Sequence, residues 1–114
     1  MKDADREYGC LAADQLERVA ALFKSFAEPT RLAILQELKA GPRKVGEMVA
    51  AIGTSQANIS KQLHVLSEAG VIHREKRGTC VLCSIPDPAV LELCRLVCDK
   101  LNRDLALERE PLHF

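Results

Sequence analysis

The 114-residue sequence lacks the features that usually direct a protein into or across a membrane. No apolar run approaches the ~20 residues that a transmembrane helix needs. Residues 1–10 are charged and contain no apolar h-region, which predicts that they are not a signal peptide. We therefore expect a cytoplasmic protein with no membrane partner. The length is typical of one domain and argues against a multidomain enzyme.

Recognisable catalytic motifs are also missing. The sequence contains no P-loop, nucleophile elbow or H-E-x-x-H motif. A cysteine–histidine catalytic pair would need one of three isolated histidines, His64, His73 or His113. We therefore expect no enzyme. A chain of this length buries about two thirds of its unfolded surface, so we expect that no cofactor is required for folding.

The charge of the chain sums to zero but is unevenly distributed. Residues 29–78 hold eight Lys or Arg and four Asp or Glu, which gives +4. The flanking residues, 1–28 and 79–114, together hold −4. A basic middle between acidic ends is typical of a polyanion-binding face on an acidic scaffold. A random scatter of surface charge is the alternative interpretation.

The spacing of apolar residues predicts a mainly α (α+β) domain with about five helices and a β-hairpin. Pro29 is typical of the first turn of a helix, and Gly41-Pro42 and Gly70 are typical helix stops. The predicted helices cover residues 12–27, 29 to the Gly41-Pro42 stop, 45–52, 54–69 and 89–107. The predicted strands cover 71–76 and 79–85, with a basic turn between them.

The third and fourth predicted helices, with a Gly-containing turn between them, form a helix-turn-helix pattern. Gln and Asn side chains can bind adenine, Lys can bind guanine or phosphate, and a basic hairpin can contact phosphates. An interaction module of the same fold is the alternative, but interaction faces are enriched in aromatic residues. The predicted DNA contacts are Ser55, Gln56, Asn58, Ser60, Lys61 and His64 on the helix and Arg74, Lys76 and Arg77 on the hairpin; Gln62 is also expected to point outward.

Three segments, in order, resemble the ArsR/SmtB family of winged-helix repressors. Residues 26–35 (FAEPTRLAIL) resemble the opening motif, 54–63 (TSQANISKQL) the recognition helix, and 77–79 (RGT) the wing. The resemblance covers most of the chain. It implies a cytoplasmic homodimer that occupies double-stranded operator DNA and leaves it when a metal, metalloid or oxidant binds. Gln62 and Cys83 depart from the family, which often has His and an aromatic residue there.

On this resemblance we expect a winged helix-turn-helix with a two-stranded wing. Its DNA-binding and dimerisation domain would cover residues 11–107, between a flexible lead at 1–10 and a tail at 108–114. The last predicted helix has an apolar stripe from Val90 to Leu105, more than one small domain can cover. We therefore expect a two-fold dimer through the last helix and the first.

Five cysteines are present, and an odd number without an export signal predicts free thiols. Cys94 and Cys98 lie four residues apart on the last predicted helix, which places their Cβ atoms ~5–6 Å apart. A disulfide needs ~3.5–4.5 Å, so the pair is better spaced to share a soft ion. The alternative is that both pack as small apolar residues in a dimer interface.

The family's C-x-C arsenic site near the third helix and its Asp and His zinc site on the last helix have no counterpart here. A thiol site remains, and thiolates favour trivalent arsenic or antimony. These take three sulfurs, so Cys94 and Cys98 need a third from Cys83 or from Cys10 of the partner subunit. Cys83 is otherwise a core residue, and Cys80 points to the opposite face. Redox or reactive-sulfur sensing by the same thiols is the alternative.

Overall fold

The computed structural model describes residues 9–104 and 110–114. The helices are α1 (Ala13–Phe26), α2 (Pro29–Leu38), α3 (Val45–Ile52), α4 (Gln56–Glu68) and α5 (Ala89–Asp104). The strands are β1 (Arg43–Lys44), β2 (His73–Arg77) and β3 (Cys80–Ser84). The predicted order of five helices and a hairpin is confirmed. The lead before Gly9, Leu105 and the predicted domain boundary after residue 107 lie outside the described residues.

Local sequence signals set the helix ends. Pro29 opens α2, where its missing N–H needs no partner, and the Glu28 carboxylate accepts a hydrogen bond from the Arg31 backbone N–H at 3.0 Å. Gly53 ends α3 with a φ of 80°, a left-handed conformation that favours glycine. The Ser55 hydroxyl then caps α4 by accepting from the Asn58 backbone N–H at 3.1 Å.

The wing contains a third strand that the apolar pattern did not predict. The sheet order is β1-β3-β2, and all pairs are antiparallel. Arg43 lies opposite Cys83 and forms ion pairs with Glu37 at 3.1 Å and Glu47 at 3.8 Å. A strand of two residues is too short to show the alternation of apolar and polar residues that predicts a strand. β1 is therefore recognised only from its contacts in the structure. They attach the base of the wing to α2 and α3.

The hydrophobic core lies in the middle of the chain. Its fully buried side chains come from α2 to β3 and are Ile34, Leu35, Met48, Ile59, Leu63, Leu66, Val71 and Cys83. The terminal helices contribute little, because the buried residue of α1 is Ser25 and that of α5 is Cys94. The helix-turn-helix and wing therefore form a packed unit, while α1 and α5 lie on it with much of their apolar surface uncovered.

Candidate nucleic-acid interface and thiol sites

Helix α4 has one buried side and one polar, exposed side. Ile59, Leu63 and Leu66 pack into the core, and the capping hydroxyl of Ser55 starts the helix. The predicted contact residues that the structure places on the exposed side are Ser55, Gln56, Ser60, Lys61 and His64. The core packing of α4 therefore presents amide, hydroxyl, ammonium and imidazole groups together at the surface.

The expectation that Gln62 points outward is wrong. Its side chain is 5% exposed, and its Oε1 accepts a hydrogen bond from Arg31 Nη1 at 2.8 Å. Its Nε2 donates to Asn58 Oδ1 at 3.1 Å. The sequence did carry the signal: Gln62 follows Ile59 by three residues and precedes Leu66 by four, so it shares their face.

Asn58, a predicted base contact, is half-buried and engaged within the chain. Its Oδ1 accepts from Gln62, and its Nδ2 donates to Thr54 Oγ1 at 3.1 Å. Both polar ends of the Asn58 amide are therefore occupied by neighbours on the same helix and turn. A contact with a base would have to replace or share one of these bonds.

The wing presents its basic residues to solvent. All five residues of β2 are exposed, including Arg74, Lys76 and Arg77, which were predicted to contact phosphates. Side chains alternate along a strand, so Arg74 and Lys76 share one face and Arg77 lies on the other with Glu75. Arg77 Nη2 and Glu75 Oε2 form an ion pair at 3.0 Å. The Glu75 carboxylate accepts from the Arg77 guanidinium N–H groups that would otherwise donate to a phosphate.

A cleft lies between α4, the predicted recognition helix, and the wing. Its lining includes Gln56 and Ser60 from α4, Arg74 from β2, Lys44 from β1 and the exposed Cys80 from β3. Two cationic side chains, the Glu47 carboxylate and two neutral polar groups thus line one groove. The fold therefore brings Gln56 and Ser60 of the predicted helix contacts to the same groove as Arg74 of the predicted wing contacts.

The five cysteines are free and differ in exposure. Cys10 and Cys80 are exposed, Cys98 is half-buried, and Cys83 and Cys94 are buried. The expectation that Cys80 and Cys83 point to opposite faces of their strand is confirmed. Cys83 faces the core, whereas Cys80 faces solvent.

Burial makes two of the thiols hard to ionise. Burial, and to a lesser extent the neighbouring Cys98, together raise the pKa of Cys94 from an ordinary 9.0 to about 11. Burial also raises the pKa of Cys83, although the Arg74 charge opposes the shift. Both groups are therefore neutral thiols near pH 7, not thiolates.

One protomer does not assemble a complete metal site within residues 9–104 and 110–114. No group of three or more His, Cys, Asp or Glu there is placed to hold a metal ion. Cys83, Cys94 and Cys98 therefore do not form a three-sulfur site in this conformation. The remaining candidate ligand, Cys10, is exposed and lies before α1, which begins at Ala13.

Helices α1 and α5 expose apolar side chains that a monomer leaves in water. Phe23 is 56% exposed and Leu96 is 64% exposed. Both helices are amphipathic in sequence, yet apart from Phe26 on α1 and Val90 on α5, which pack partly against the core, most of their large apolar residues are exposed. The exposed members are Leu16, Val19, Leu22 and Phe23 on α1, and Leu96, Val97 and Leu101 on α5. Several large apolar side chains exposed on the same two helices favour an interaction site there.

In the part of the chain that the structure describes, no helix is both long and apolar enough to cross a membrane.

Comparison with known proteins places the chain among transcriptional regulators. A family model described as a helix-turn-helix domain matches residues 26–75. The uncharacterized HTH-type transcriptional regulator Rv0081 of Mycobacterium tuberculosis is 36% identical over 88 residues, which cover 76% of this chain and 77% of the relative. The transcriptional repressor SmtB homolog of Synechocystis is 30% identical over 92 residues, covering 81% of this chain and 70% of the relative.

Solved structures agree with these relatives. The crystal structure of Rv0081 has a TM-score of 0.76 at 33% identity and covers 83% of this chain and 96% of its own. The homodimeric winged helix-turn-helix domain of Mb0332 from Mycobacterium bovis, a possible ArsR-family regulator, has a TM-score of 0.72 at 30% identity, covering 93% and 98%. The antimony-specific repressor AntR has a TM-score of 0.72 at 27% identity, covering 83% and 86%. The chain therefore belongs to the ArsR/SmtB family of winged-helix transcriptional repressors.

Proposed function

We propose that the chain is a cytoplasmic, homodimeric repressor that binds operator DNA and releases it when a thiophilic inducer binds its cysteines. One observation supports DNA binding most directly: Gln56 and Ser60 of α4 line the same cleft as Arg74 of the basic strand β2. Gln56 and Lys61 would contact base edges, and Arg74, Lys76 and Arg77 would contact phosphates.

The proposed dimer pairs the exposed apolar faces of α1 and α5. The relative Mb0332 is a homodimer, and the apolar residues that this protomer leaves uncovered lie on its first and last described helices. A two-fold axis through α1 and α5 would hold the two α4 helices of the dimer at a fixed separation. We expect them to meet half-sites about one helical turn of DNA from one another.

The proposed inducer is trivalent arsenic or antimony, held by Cys94, Cys98 and the partner subunit's Cys10. AntR is an antimony-specific repressor of similar structure. Arsenous acid condenses with three thiols and releases three waters, so neutral thiols suit it. A divalent cation must displace protons from its cysteine ligands, which the pKa of about 11 at Cys94 opposes. Cys10 is preferred to Cys83 because Cys83 is fully buried in the core.

The test is release of DNA by the reduced protein. A duplex selected by the wild type from a random library serves as the operator. Arsenite, antimonite, cadmium and zinc are added in turn under reductant, and a persulfide is added to the pre-reduced protein after the reductant has been removed. We expect release by arsenite or antimonite, and loss of the response in Cys94→Ser, Cys98→Ser and Cys10→Ser. Cys83→Ser and the exposed control Cys80→Ser should respond like the wild type.

Other outcomes contradict defined parts of the proposal. A normal arsenite response in Cys94→Ser and Cys98→Ser would place the sensor elsewhere. A response to persulfide alone would favour redox sensing by these thiols. Loss of response in Cys83→Ser with retention in Cys10→Ser would assign the third sulfur to the core cysteine after a rearrangement.

A further inference from the structure

Arg31 connects the end of α1 to the middle of the recognition helix. Its Nε donates to the Ser25 carbonyl oxygen at 2.8 Å, and its Nη2 donates to the Lys24 carbonyl oxygen at 3.2 Å. Its Nη1 donates to Gln62 Oε1 at 2.8 Å. The last carbonyls of a helix lack partners within that helix and carry partial negative charge, so they attract a cation. One guanidinium group thus binds two helices.

The hydrogen bonds continue from Gln62 toward the turn of the helix-turn-helix. Gln62 donates to Asn58, and Asn58 donates to Thr54, at 3.1 Å in both cases. The path therefore runs from the carbonyls of α1 through Arg31 to the residue two positions before Gln56. Each polar group along it has a partner, and no buried side-chain N or O in the described residues lacks one.

This path is a large part of the attachment of α1. Ser25 is the buried residue of that helix, and its hydroxyl donates to the Leu22 carbonyl oxygen within α1. Phe26 is half-buried against the core, whereas Leu16, Val19 and the other large apolar residues of α1 are exposed. Apolar packing alone therefore fixes the orientation of α1 weakly, and the directional bonds of Arg31 define it.

A polar residue at position 62 is not what helix packing requires. Ile59, Leu63 and Leu66 form an apolar stripe, and a leucine at 62 would complete it. A satisfied buried polar network adds little net stability compared with apolar packing, but its bonds are directional and specify one geometry. The Arg31 fork, with donors in fixed positions, suits that role better than a flexible ammonium group.

We infer that the Arg31–Gln62 contact is a positioning element that fixes the angle of the recognition helix relative to α1. The inference rests on the proposed function, because the orientation of α1 affects DNA binding only if α1 forms part of the dimer interface. In that dimer the angle between α1 and α4 sets the separation of the two recognition helices. Arg31 and Gln62 thus control sequence selectivity without touching DNA, and they transmit any displacement of α1 to α4.

The experiment compares affinity for the duplex selected by the wild type with affinity for a scrambled duplex of equal length and composition. The variants are Gln62→Leu, Arg31→Lys, their double variant and Gln62→Glu; Gln36→Leu, at an exposed position of α2, is the matched control. Each protein is also checked for thermal unfolding and dimeric mass. Arg31→Lys keeps the charge, so electrostatic attraction to DNA is unchanged.

We expect Gln62→Leu and Arg31→Lys each to reduce the ratio of the two affinities by about tenfold, with scrambled-duplex binding unaltered. The double variant should lose no more than Arg31→Lys alone, because that substitution already removes the Arg31–Gln62 contact that Gln62→Leu breaks. Gln62→Glu should keep most of the selectivity, since a carboxylate also accepts from Arg31 and the Asn58 amide can turn over to donate to it. Partial unfolding would lower both affinities together and leave their ratio unchanged.

Wild-type selectivity in Gln62→Leu would overturn the inference, because the Arg31–Gln62 contact would then have only a packing role. Additive losses in the double variant would also overturn it, because the two residues would then act separately. If the wild type selects no sequence, the proposed function fails and this inference fails with it. Selection by the wild type with unchanged variants leaves the proposed function intact and removes only the inference.

Discussion

Cys94 and Cys98 lie one turn apart in α5, and the proximity of Cys98 adds to the burial that raises the pKa of Cys94 to about 11. A divalent metal cation would therefore compete with the thiol protons for the same sulfur atoms, whereas arsenous acid would carry these protons away as water. The two residues differ in access, since Cys94 is 5% exposed and Cys98 is half-buried. An inducer arriving from solvent would meet Cys98 first.

The first prediction concerns thiol reactivity. Alkylation by iodoacetamide at pH 8 should modify Cys80 much faster than Cys83, although both lie on β3. The reactive form is the thiolate, and Cys83 is buried with a raised pKa while Cys80 is exposed. Peptide mass spectrometry at timed intervals measures the two rates, and the urea-unfolded protein should show them nearly equal. Equal rates in the folded protein would contradict the burial of Cys83.

The second prediction concerns stability at alkaline pH. The folded state raises the pKa of Cys94 from 9.0 to about 11, so it binds the thiol proton more tightly than the unfolded state does. The associated stability is complete below pH 9 and is lost as the pH rises to 11. At ~1.4 kcal/mol for each pKa unit, the loss specific to this group should be about 1–3 kcal/mol.

Urea unfolding under reductant at pH 8 and pH 10.5 tests this expectation. As the pH rises from 8 to 10.5, the free energy of unfolding should fall by more in the wild type than in Cys94→Ala. Other groups titrate in both proteins, and their contribution cancels in the comparison. The substitution also removes buried volume, which lowers stability at both pH values and leaves the difference interpretable. Equal losses in the two proteins would mean that the Cys94 thiol is not desolvated.

The third prediction concerns the wing. Glu75→Gln should strengthen binding to selected and scrambled duplexes alike, because it removes a carboxylate that pairs with Arg77 at 3.0 Å. Arg77→Ala should weaken both alike and reduce the slope of log K against log salt by about one. Fluorescence anisotropy across a salt series measures both effects. If Arg77→Ala changes selectivity while leaving the slope unchanged, Arg77 does not contact phosphate.

The fourth prediction concerns base contacts by α4. Lys61→Ala or Gln56→Ala should cost roughly 1–3 kcal/mol on the selected duplex if the side chain contacts a base. The loss on the scrambled duplex should be smaller, because only the selected duplex offers the matching base edge. Ala57→Ser, at an exposed neighbouring position, is the control. Unchanged affinity in a triple variant at Gln56, Lys61 and Arg77 would contradict the proposed interface.

Sequence patterns predicted the helices and the wing because their signals are local. Pro29, Gly53 and the Ser55 cap each act within a few residues of the boundary that they set. The two-residue strand β1 was missed because its pairing partner, β3, lies about 40 residues away along the chain. Patterns that depend on distant contacts are invisible to local periodicity.

The interface residues show the same limit. The exposure of Lys61 and His64 follows from the helical period, and that part of the prediction agrees with the structure. The polar side chain of Gln62 predicts an outward position, although its spacing from Ile59 places it on the buried face. Its partner is Arg31, which is 31 positions away. Residue type predicts an outward side chain at position 62, whereas the geometry of the helix requires an internal contact.

The fifth prediction concerns the dimer. Phe23→Glu on α1 or Leu101→Glu on α5 should convert the protein to monomers, because each places a carboxylate in an apolar interface with no partner charge. Ala40→Glu, at an exposed position after α2, should remain dimeric. Sedimentation equilibrium at micromolar concentration measures the mass of each protein.

The DNA affinity of these variants distinguishes dimer loss from damage to the fold. A monomer keeps its recognition helix and wing, because the core that supports them lies between α2 and β3. The monomer should therefore bind the selected duplex only with the affinity of a single half-site. Its affinity for a duplex that contains one half-site should equal that of the wild type. Two linked half-sites gain affinity from effective concentration, and a monomer loses that gain. Wild-type mass in both variants, or a monomeric wild type, would show that the exposed faces of α1 and α5 do not form the dimer.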